Sequence, residues 1–367
     1  MPTSPNTRTG AGKLERGARL ARFRGVVGAL VIATGVPMHT KVAAGAPVEV
    51  SGFGSNPGNL RMWWYRPDGL SAGAPLVVAI HGCRQSASAF DDETGWVQLA
   101  DRFGFALLLP EQKKNMWLGN NPLGCFNWFY RGDQVRGRGE ALSIKQMVDT
   151  AIADHAIDPE RVYVTGLSAG GAMTAVMLAV YPEMFAGGAV IAGIPYQCAE
   201  VPNYVPLVSI SYLSVWLGFT DPFVCMDPGV DRAPEYWAER VRAATAFTPK
   251  RWPVLSIWQG TADATVHPRN ANELVEQWTN VQGTDAIADA EETINGHTRR
   301  EYQNAAGEPV VELYLIAAMD HGVPINPAPL GASRTAAEQC GRPADYVLPV
   351  GICAAYHIAR FWGLTGP

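Results

Sequence analysis

Residues 162–173 read VYVTGLSAGGAM and contain the pattern G-x-S-x-G centred on Ser168. The β-branched and aromatic residues before the pattern favour a strand, and residues 170–181 after it favour a helix. On such a tight strand-to-helix turn the serine hydroxyl is exposed, and the glycines let neighbouring backbone pass closely. The helix would also direct its N-terminal N–H groups at the serine. The stretch therefore predicts that Ser168 is a nucleophile at the carboxyl end of a strand.

The same five letters, GLSAG, occur a second time at residues 69–73. This copy lies between two predicted strands, 61–65 and 75–80, and Pro75 stands where a helix would have to begin. Because a strand follows instead of a helix, we interpret this copy, with Ser71, as a connecting loop.

Strand-like and helix-like segments alternate from about residue 47 onward. The run PLVVAI at 75–80 is apolar throughout, as expected for a strand that is buried on both faces. The other predicted strands are 61–65, 105–109, 161–165, 188–192, 254–258 and 310–316, and the predicted helices are 96–103, 139–155, 170–181 and 270–281. Such alternation predicts an α/β fold with a mainly parallel central sheet and helices on both faces.

The composition is that of a globular protein. The chain has 367 residues, of which 47% are hydrophobic and 17% charged, and its net charge is -5. No basic stripe is present to neutralise phosphates, so we expect no nucleic-acid partner. We expect one domain at residues 47–367 with an insertion at about 196–252. Its apolar segment 205–219 is either a cap over the site or a packed insertion.

The N-terminal residues 1–46 have the pattern of a signal peptide. Four arginines between 16 and 24 precede an apolar run at 26–36, and small residues follow at 42–44. The run is shorter than the roughly 20 residues that a membrane-spanning helix needs. We therefore predict a secreted or periplasmic protein without a membrane span. The alternative is a disordered N-terminal extension.

The chain contains six cysteines, an even number that suits an exported, oxidised protein. The spacing alone allows many pairings and therefore leaves the connectivity open. No C-x-x-C pair is present, so the pattern does not support a zinc site. The alternative is that the six side chains are reduced and buried as small hydrophobic groups.

A serine hydroxyl is a weak nucleophile and needs a histidine base that a carboxylate orients. His321 is the best candidate, because it follows the strand-like run 310–319 at the carboxyl end, where α/β sites assemble. His297 precedes that run, which suggests the opposite edge of the sheet. His267 lies close behind the predicted acid, and His357 falls in a predicted terminal helix.

Asp263 is the predicted acid, because it follows the strand 254–258 at that strand's carboxyl end. It also completes the order Ser, Asp, His that is typical of this kind of site. Asp221 lies in the insertion and Asp320 is next to the base, so neither is well placed to reach it.

An oxyanion hole requires two backbone N–H groups. The residue after the nucleophile, Ala169, supplies one, and the loop 81–84 after an earlier strand supplies the other. In that loop we choose the amide of Cys83. We expect His81 to support the loop rather than to take part in the chemistry.

Together these motifs resemble the esterase family of poly(3-hydroxybutyrate) (PHB) depolymerases, which shares its fold with feruloyl and acetylxylan esterases. The matching stretches are HGCRQSA at 81–87, CFNWF at 125–129, GEALSIKQMVD at 139–149, VYVTGLSAGGAM at 162–173, AGIPYQCA at 192–199, WQGTADATVHPRNANELVEQW at 258–278, MDHGVP at 319–324 and ICAAYHIARFWGL at 352–364. They follow one another through nearly all of residues 75–364. The resemblance implies an α/β-hydrolase fold.

The resemblance also implies roles for particular residues. It implies the triad Ser168, Asp263 and His321 and an oxyanion hole formed by the amides of Cys83 and Ala169. The implied disulfides are Cys83–Cys125, Cys198–Cys225 and Cys340–Cys353. Phe126, Trp128 and Phe129 are then either walls of the acyl-binding cleft or ordinary core aromatics.

The sequence departs from the family in two places. The stretch 200–224 is longer and more apolar than the family's usual short helical piece. Depolymerases that attack solid polymer also carry a linker and a substrate-binding domain, which do not follow before Pro367. We therefore expect activity on short soluble esters or hydroxybutyrate oligomers.

The predicted function is a serine esterase that forms an acyl-enzyme and prefers hydroxyalkanoate esters. The alternative substrates are feruloyl or acetyl esters of plant polysaccharide. A more remote alternative is a serine peptidase with the same triad. A non-catalytic adhesion protein has only the tripeptide at 131–133 (RGD) in its favour. The chemistry needs no metal or organic cofactor.

Overall fold

The computed structural model describes residues 45–114, 121–203, 220–327 and 338–366. The strands within these ranges are β1 (Val48–Val50), β2 (Arg61–Tyr65), β3 (Ala74–Ile80), β4 (Ala106–Glu111), β5 (Ile157–Leu167), β6 (Gly187–Ile191), β7 (Val254–Gly260), β8 (Ala290–Ile294), β9 (His297–Gln303), β10 (Pro309–Ile316), β11 (Val323–Ile325) and β12 (Val347–Pro349). The helices are α1 (Ala87–Asp91), α2 (Trp96–Phe103), α3 (Gly139–His155), α4 (Ala169–Val180), α5 (Pro222–Met226), α6 (Pro234–Ala243), α7 (Arg269–Gln282) and α8 (Ala354–Phe361).

The central sheet has the order β1-β2-β4-β3-β5-β6-β7-β10-β9-β8. The six strands from β4 to β10 are each parallel to their neighbours, and the strands outside them are antiparallel. β11 and β12 form a separate parallel pair. Each strand and helix that we expected from the sequence is present, and the α/β-hydrolase fold with a mainly parallel sheet is confirmed.

Helices cover both faces of the sheet, as β3 illustrates. All seven of its residues are buried. Leu76, Val78 and Ile80 pack in the cluster that contains residues of α3, α4, α6 and α7. Val77 and Ala79 pack in a second cluster with residues of α1, α2 and α8. A strand covered on both faces needs an apolar residue at every position, which explains the uninterrupted run.

The hairpin of β8 and β9 was not expected from the sequence. Asn295 and Gly296 turn the chain with φ of 50° and 84°, the conformation that Asn-Gly favours in a two-residue hairpin. β9 pairs antiparallel with β10, so His297 lies at the carboxyl end of β10. The expectation that His297 lies at the opposite edge was wrong, because the chain enters β10 from the antiparallel strand β9 and not through a parallel crossover.

The expected insertion at 196–252 contains α5 and α6, and its residues 204–219 lie outside the described residues. The disulfide Cys198–Cys225 joins its beginning to α5. In α6, Trp237 donates its indole N–H to Glu273 of α7 over 2.7 Å. This part of the insertion is therefore packed on the body of the domain.

The two remaining N-terminal predictions have different outcomes. The loop that carries Ser71 is an exposed connection between β2 and β3, as expected for a copy of GLSAG without chemistry. The predicted signal peptide falls almost entirely on residues outside the described ranges. Among the residues described, no helix is both long and apolar enough to cross a membrane.

The tripeptide at 131–133 has a structural role. Arg131 pairs with Glu200, and the amide of Gly132 donates to the side chain of Asn203 over 2.7 Å. Asp133 accepts the N–H of Glu140 in the first turn of α3 over 3.0 Å. All three residues are thus engaged within the domain, which gives the adhesion hypothesis no support.

The carboxyl group of Glu140 is fully buried, and Asp133 beside it is partly buried. Burial raises the pKa of Asp133 to about 6, and burial together with the charge of Asp133 raises the pKa of Glu140 well above its usual value. A carboxyl whose pKa is higher in the folded state binds its proton more tightly there. The fold is therefore less stable once the pH rises through the interval between 3.8 and about 6.

We predict that Asp133→Asn makes the protein more stable above pH 6. Asparagine keeps the oxygen that accepts the N–H of Glu140 and removes the charge of this partly buried group. Urea unfolding should show a gain of about 1–3 kcal/mol at pH 7.5 that largely disappears at pH 4. Asp149→Asn, on the exposed side of α3, is the control and should change little. Equal effects of Asp133→Asn at both pH values would contradict the prediction.

Candidate active site

Ser168 occupies the tight turn between β5 and α4 with φ of 56° and ψ of -118°. For a residue other than glycine such a conformation costs on the order of 1–3 kcal/mol and persists only where the surroundings impose it. The amide of Ser168 donates to the carbonyl of Ile191 at the end of β6 over 2.9 Å, and the amide of Ala172 donates to the carbonyl of Ser168 over 2.8 Å. These bonds hold the serine at the end of the sheet.

Both glycines of the G-x-S-x-G pattern are required by close backbone contacts. A Cβ at Gly166 would lie 2.4 Å from the carbonyl oxygen of Gly170. A Cβ at Gly170 would lie 2.2 Å from the carbonyl oxygen of Ile80. Because neither position has room for a side chain, the first turn of α4 packs directly on the end of β3.

The structure brings Asp263 and His321 together at the ends of β7 and β10. The Nδ1 atom of His321 lies 2.8 Å from Oδ2 of Asp263, and both side chains are buried. The other oxygen of Asp263 accepts the backbone N–H groups of Thr265 and Val266, each over 2.8 Å. With Nδ1 held by the carboxylate, Nε2 of His321 is the nitrogen left to exchange a proton with a nucleophile.

A buried amide also supports this pair. Nε2 of Gln259 donates to Oδ2 of Asp263 over 3.1 Å and to the carbonyl of Val266 over 3.1 Å. Gln259 thus fixes the oxygen that faces His321. No sequence pattern singled out Gln259, although it lies near the end of β7 only four positions before Asp263.

Asp320 joins the loop after β7, which carries Asp263, to the loop after β10, which carries His321. Its Oδ1 accepts the N–H of His321 over 2.7 Å and the N–H of Ala264 over 3.3 Å. These two amides hold the pKa of the Asp320 carboxyl below its usual value. Asp320 thus bonds backbone amides, whereas Asp263 bonds the ring of His321. Asp320 positions the backbone of His321 against the backbone beside Asp263.

The loop after β3 carries the amide that we expected in the oxyanion hole. Cys83 lines the same cavity as Ser168, and Ala169 is the first residue of α4. Within the ranges that the structure describes, no protein acceptor takes the N–H of Cys83 or of Ala169. Two free donors beside a serine at a helix N-terminus are the groups that an oxyanion needs.

His81 supports this loop from within the domain. It is completely buried, accepts the N–H of Gln112 at Nε2 over 3.1 Å, and lies with Nδ1 2.7 Å from the carbonyl of Gly82. Burial lowers the pKa of His81 to about 4, so its ring is neutral at physiological pH and Nδ1–H donates. This is the supporting role expected from the sequence.

The cavity that Ser168 and His321 line, here called the catalytic cavity after the predicted triad, has a volume of about 300 Å³. In the described part of the chain it is lined by Gly82, Cys83, Arg84, Leu123, Leu167, Ser168, Met226, Thr265, His321 and Tyr346. The ring of Tyr346 meets the ring of His321 edge-on, with the centroids 6.1 Å apart. Leu123, Leu167 and Met226 make much of the wall apolar.

The three aromatic residues proposed as cleft walls lie in the core instead. Phe126, Trp128 and Phe129 are buried and belong to the cluster beneath the sheet. Phe126 packs on His81 with the ring centroids 5.0 Å apart, and Trp128 packs edge-on against Phe129 at 5.4 Å. Phe126 therefore supports the oxyanion loop through His81, and none of the three rings lines the described cavity.

The structure joins the three cysteine pairs that the resemblance implies. Each disulfide fixes a segment of the cavity wall. The pairs are Cys83–Cys125, Cys198–Cys225 and Cys340–Cys353. The first holds the oxyanion loop, the second holds α5 with Met226, and the third closes the loop that contains Tyr346.

The other histidines considered as bases have different partners. The ring of His297 contacts the amide of Ala317 and the carbonyl of Val350, each over 3.1 Å. His267 accepts the amide of Arg269 over 3.1 Å. His357 is buried in α8, as expected. Of these histidines and His321, only His321 lines the cavity with Ser168.

We predict that removing the disulfide of the oxyanion loop by Cys83→Ala with Cys125→Ala lowers kcat more than it raises KM. The amide of residue 83 remains, but its position is no longer fixed before the reaction, so about a tenfold loss in kcat is expected. Ester hydrolysis by folded enzyme, checked by circular dichroism, measures it. Removal of the Cys198–Cys225 pair is the matched control, and it should affect KM more. An unchanged kcat in the first variant would refute the role of the disulfide.

We also predict that Asp320→Ala is less active than Asp320→Asn. Asparagine keeps an oxygen for the amides of His321 and Ala264, whereas alanine removes both hydrogen bonds. The alanine variant should lose about tenfold in kcat, with a smaller change in KM, because the base is no longer held over the nucleophile. Equal activities of the two variants, or a loss that follows thermal stability alone, would argue against positioning.

Comparison with known proteins places the chain among esterases. A family model described as esterase PHB depolymerase matches residues 61–232. The chain is 46% identical to poly(3-hydroxyalkanoate) depolymerase C of Paucimonas lemoignei, over 88% of this chain and 71% of that protein. It is 32% identical to an acetylxylan esterase of Coprinopsis cinerea, over 80% of this chain and 73% of that protein.

Two further relatives agree with this assignment. Feruloyl esterase B of Neurospora crassa is 35% identical over 65% of this chain and 75% of its own length. The solved structure of an acetyl xylan esterase from Aspergillus awamori superposes with a TM-score of 0.63 at 27% identity, covering 76% of this chain and 94% of that one. The chain therefore belongs to the esterase family of PHB depolymerases and is an α/β-hydrolase that cleaves carboxylic esters.

Proposed function

We propose that the protein hydrolyses hydroxyalkanoate esters through an acyl-enzyme on Ser168. The observation that carries the proposal is the bond of 2.8 Å between Asp263 and His321, together with the cavity that His321 lines with Ser168. Beside Ser168 lie the amides of Cys83 and Ala169, which have no protein acceptor among the described residues. A nucleophile, an oriented base and oxyanion donors are the components that acyl transfer requires.

The first half of the reaction forms the acyl-enzyme. His321 takes the proton of the Ser168 hydroxyl at Nε2 while Oγ attacks the ester carbonyl carbon. The carbonyl oxygen becomes an oxyanion that the amides of Cys83 and Ala169 stabilise. The ester C–O bond then breaks, and His321 gives its proton to the departing alcohol oxygen.

The second half releases the acid. Water donates a proton to Nε2 of His321 and attacks the acyl carbon, and the same two amides stabilise the second oxyanion. Collapse of this intermediate returns the proton to Oγ of Ser168 and frees the carboxylic acid. Asp263 remains ionised throughout and stabilises the protonated ring.

The cavity wall favours aliphatic hydroxyalkanoates over polysaccharide esters. Leu123, Leu167 and Met226 offer apolar surface to an aliphatic chain. A sugar would need several hydrogen-bonding side chains. Apart from Ser168 and His321, the neutral polar side chains of the described wall are Thr265 and Tyr346. The relative with the highest identity given above is a poly(3-hydroxyalkanoate) depolymerase, which favours the same substrate class.

We further propose that the protein acts after export, in the periplasm or outside the cell. Three disulfides form and persist in an oxidising compartment, and residues 1–46 have the pattern of a signal peptide. Its partner is the ester substrate, as oligomer or polyester.

The function is tested by comparing Ser168→Ala with Ser71→Ala, the same substitution in the other copy of GLSAG. The substrates are p-nitrophenyl butyrate, 3-hydroxybutyrate trimer and methyl ferulate. Ser168→Ala should lose about 10⁴-fold or more in kcat, because the nucleophile is gone, and Ser71→Ala should keep its activity.

Three results would overturn parts of the proposal. Undiminished turnover by Ser168→Ala would exclude the acyl-enzyme on this serine. Loss of activity in Ser71→Ala alone would assign the chemistry to the other copy. A higher kcat/KM for methyl ferulate than for the trimer would replace hydroxyalkanoates with feruloyl esters as the substrate class.

A further inference from the structure

Arg84 is the one permanently charged side chain among the described residues that line the catalytic cavity. It directly follows Cys83, whose amide we assign to the oxyanion hole. Its backbone has a φ of 67° and is held on both sides. The amide of Arg84 donates to the carbonyl of Leu123 over 2.7 Å, and Nζ of Lys114 donates to the carbonyl of Arg84 over 3.2 Å.

The guanidinium of Arg84 is exposed, and within the described ranges no carboxylate forms an ion pair with it. Asp320, which precedes His321 in the chain, uses its Oδ1 for two backbone amides instead. Elsewhere on the surface, Arg61, Arg136 and Arg300 pair with glutamates. Arg84 therefore offers a planar donor, without an ion-pair partner in the described part of the chain, at the edge of an apolar cavity, and this suits a carboxylate ligand.

Hydroxyalkanoate oligomers carry such a carboxylate at one end. When an ester bond is hydrolysed, water adds to the acyl carbon, the acyl C–O bond breaks, and the oxygen stays on the fragment that contains the free carboxylate end. Only the ester bonds nearest that end place the carboxylate close to the reacting carbonyl. The amide of Cys83 meets the carbonyl oxygen, so the adjacent residue can reach a carboxylate near the departing alcohol.

We propose that Arg84 binds the terminal carboxylate of hydroxyacid oligomers and directs hydrolysis to the ester bonds nearest that end. The inference rests on the proposed function, since it concerns how the same cavity selects its substrate. Apolar side chains contact the aliphatic acyl part, and Arg84 contacts the charged end of the leaving group. The released product is then a short hydroxyacid.

The test compares 3-hydroxybutyrate trimer as the free acid with the same trimer capped as a carboxyl-terminal amide. The cap removes the charge and adds no further ester bond. In the wild type, kcat/KM should be about five- to tenfold higher for the free acid, and the difference should lie mainly in KM. Raising the salt concentration should reduce this preference, because the guanidinium is exposed.

In Arg84→Gln the ratio of kcat/KM for acid and amide trimers should fall to about one. Arg84→Lys should keep part of the preference, because it retains the charge without the planar pair of donors. Arg66→Gln, an exposed arginine in the turn before β3, is the matched control and should keep the wild-type ratio. A ratio near one in the wild type, or an unchanged ratio in Arg84→Gln, would overturn the inference.

The same assay separates this failure from failure of the proposed function. If neither trimer is cleaved while p-nitrophenyl butyrate is, both the hydroxyalkanoate substrate class and the role of Arg84 are rejected. If both trimers are cleaved equally well by wild type and Arg84→Gln, the substrate class stands and only the carboxylate site is rejected.

Discussion

The backbone contact between Gly170 and the end of β3 is the constraint on which the site depends. A Cβ at Gly170 would lie 2.2 Å from the carbonyl oxygen of Ile80, so the first turn of α4 can approach the end of β3 this closely only when residue 170 is glycine. This contact places Ser168 above the carboxyl ends of β3, β5 and β6 in a conformation that it would not adopt alone. It also brings the N-terminus of α4 beside the loop that carries Cys83. Ser168 and the amides proposed as oxyanion donors are thus positioned by one packing contact.

The groups proposed for the chemistry and the groups that surround the substrate are held in different ways. Ser168, Asp263 and His321 follow strands β5, β7 and β10, whose register is fixed by the parallel sheet. Two residues of the cavity wall, Met226 at the end of α5 and Tyr346 in the loop before β12, lie in connecting segments that disulfides tie down. Loops of this kind can vary without disturbing the sheet. This division explains how relatives with 32–46% identity are named for different esters.

Much of the fold and of the site could be predicted, because the signals were local or followed from strand order. Apolar runs identified the inner strands, and the ends of those strands identified Asp263 and His321. The β8–β9 hairpin was missed because β8 is largely exposed and carries no apolar alternation. Ion pairs such as Arg300–Glu291 link its strands, and the one local signal was Asn295-Gly296.

The wall of the cavity could not be predicted because it depends on tertiary contacts. Met226 reaches the cavity through α5, whose position is set by the disulfide to Cys198 and by the hydrogen bond from the amide of His267 to the carbonyl of Met226. Aromatic residues near an expected oxyanion loop suggested a cleft. Their composition does not reveal that Trp128 and Phe129 face the core, since wall and core both favour aromatic side chains.

The first turn of α3 supports the oxyanion loop by two routes. One oxygen of Glu140 accepts a hydrogen bond from the side-chain amide of Gln112. The backbone N–H of Gln112 in turn donates to Nε2 of His81 over 3.1 Å. The other oxygen of Glu140 accepts the backbone N–H of Asn127 over 2.7 Å, and Asn127 lies two residues after Cys125, the disulfide partner of Cys83. Burial of Glu140 is unfavourable for a carboxylate unless such donors compensate it. The stretch 139–149 contributes none of the residues assigned to the chemistry. Its support of the oxyanion loop is a physical reason why this stretch is similar in sequence to the esterases.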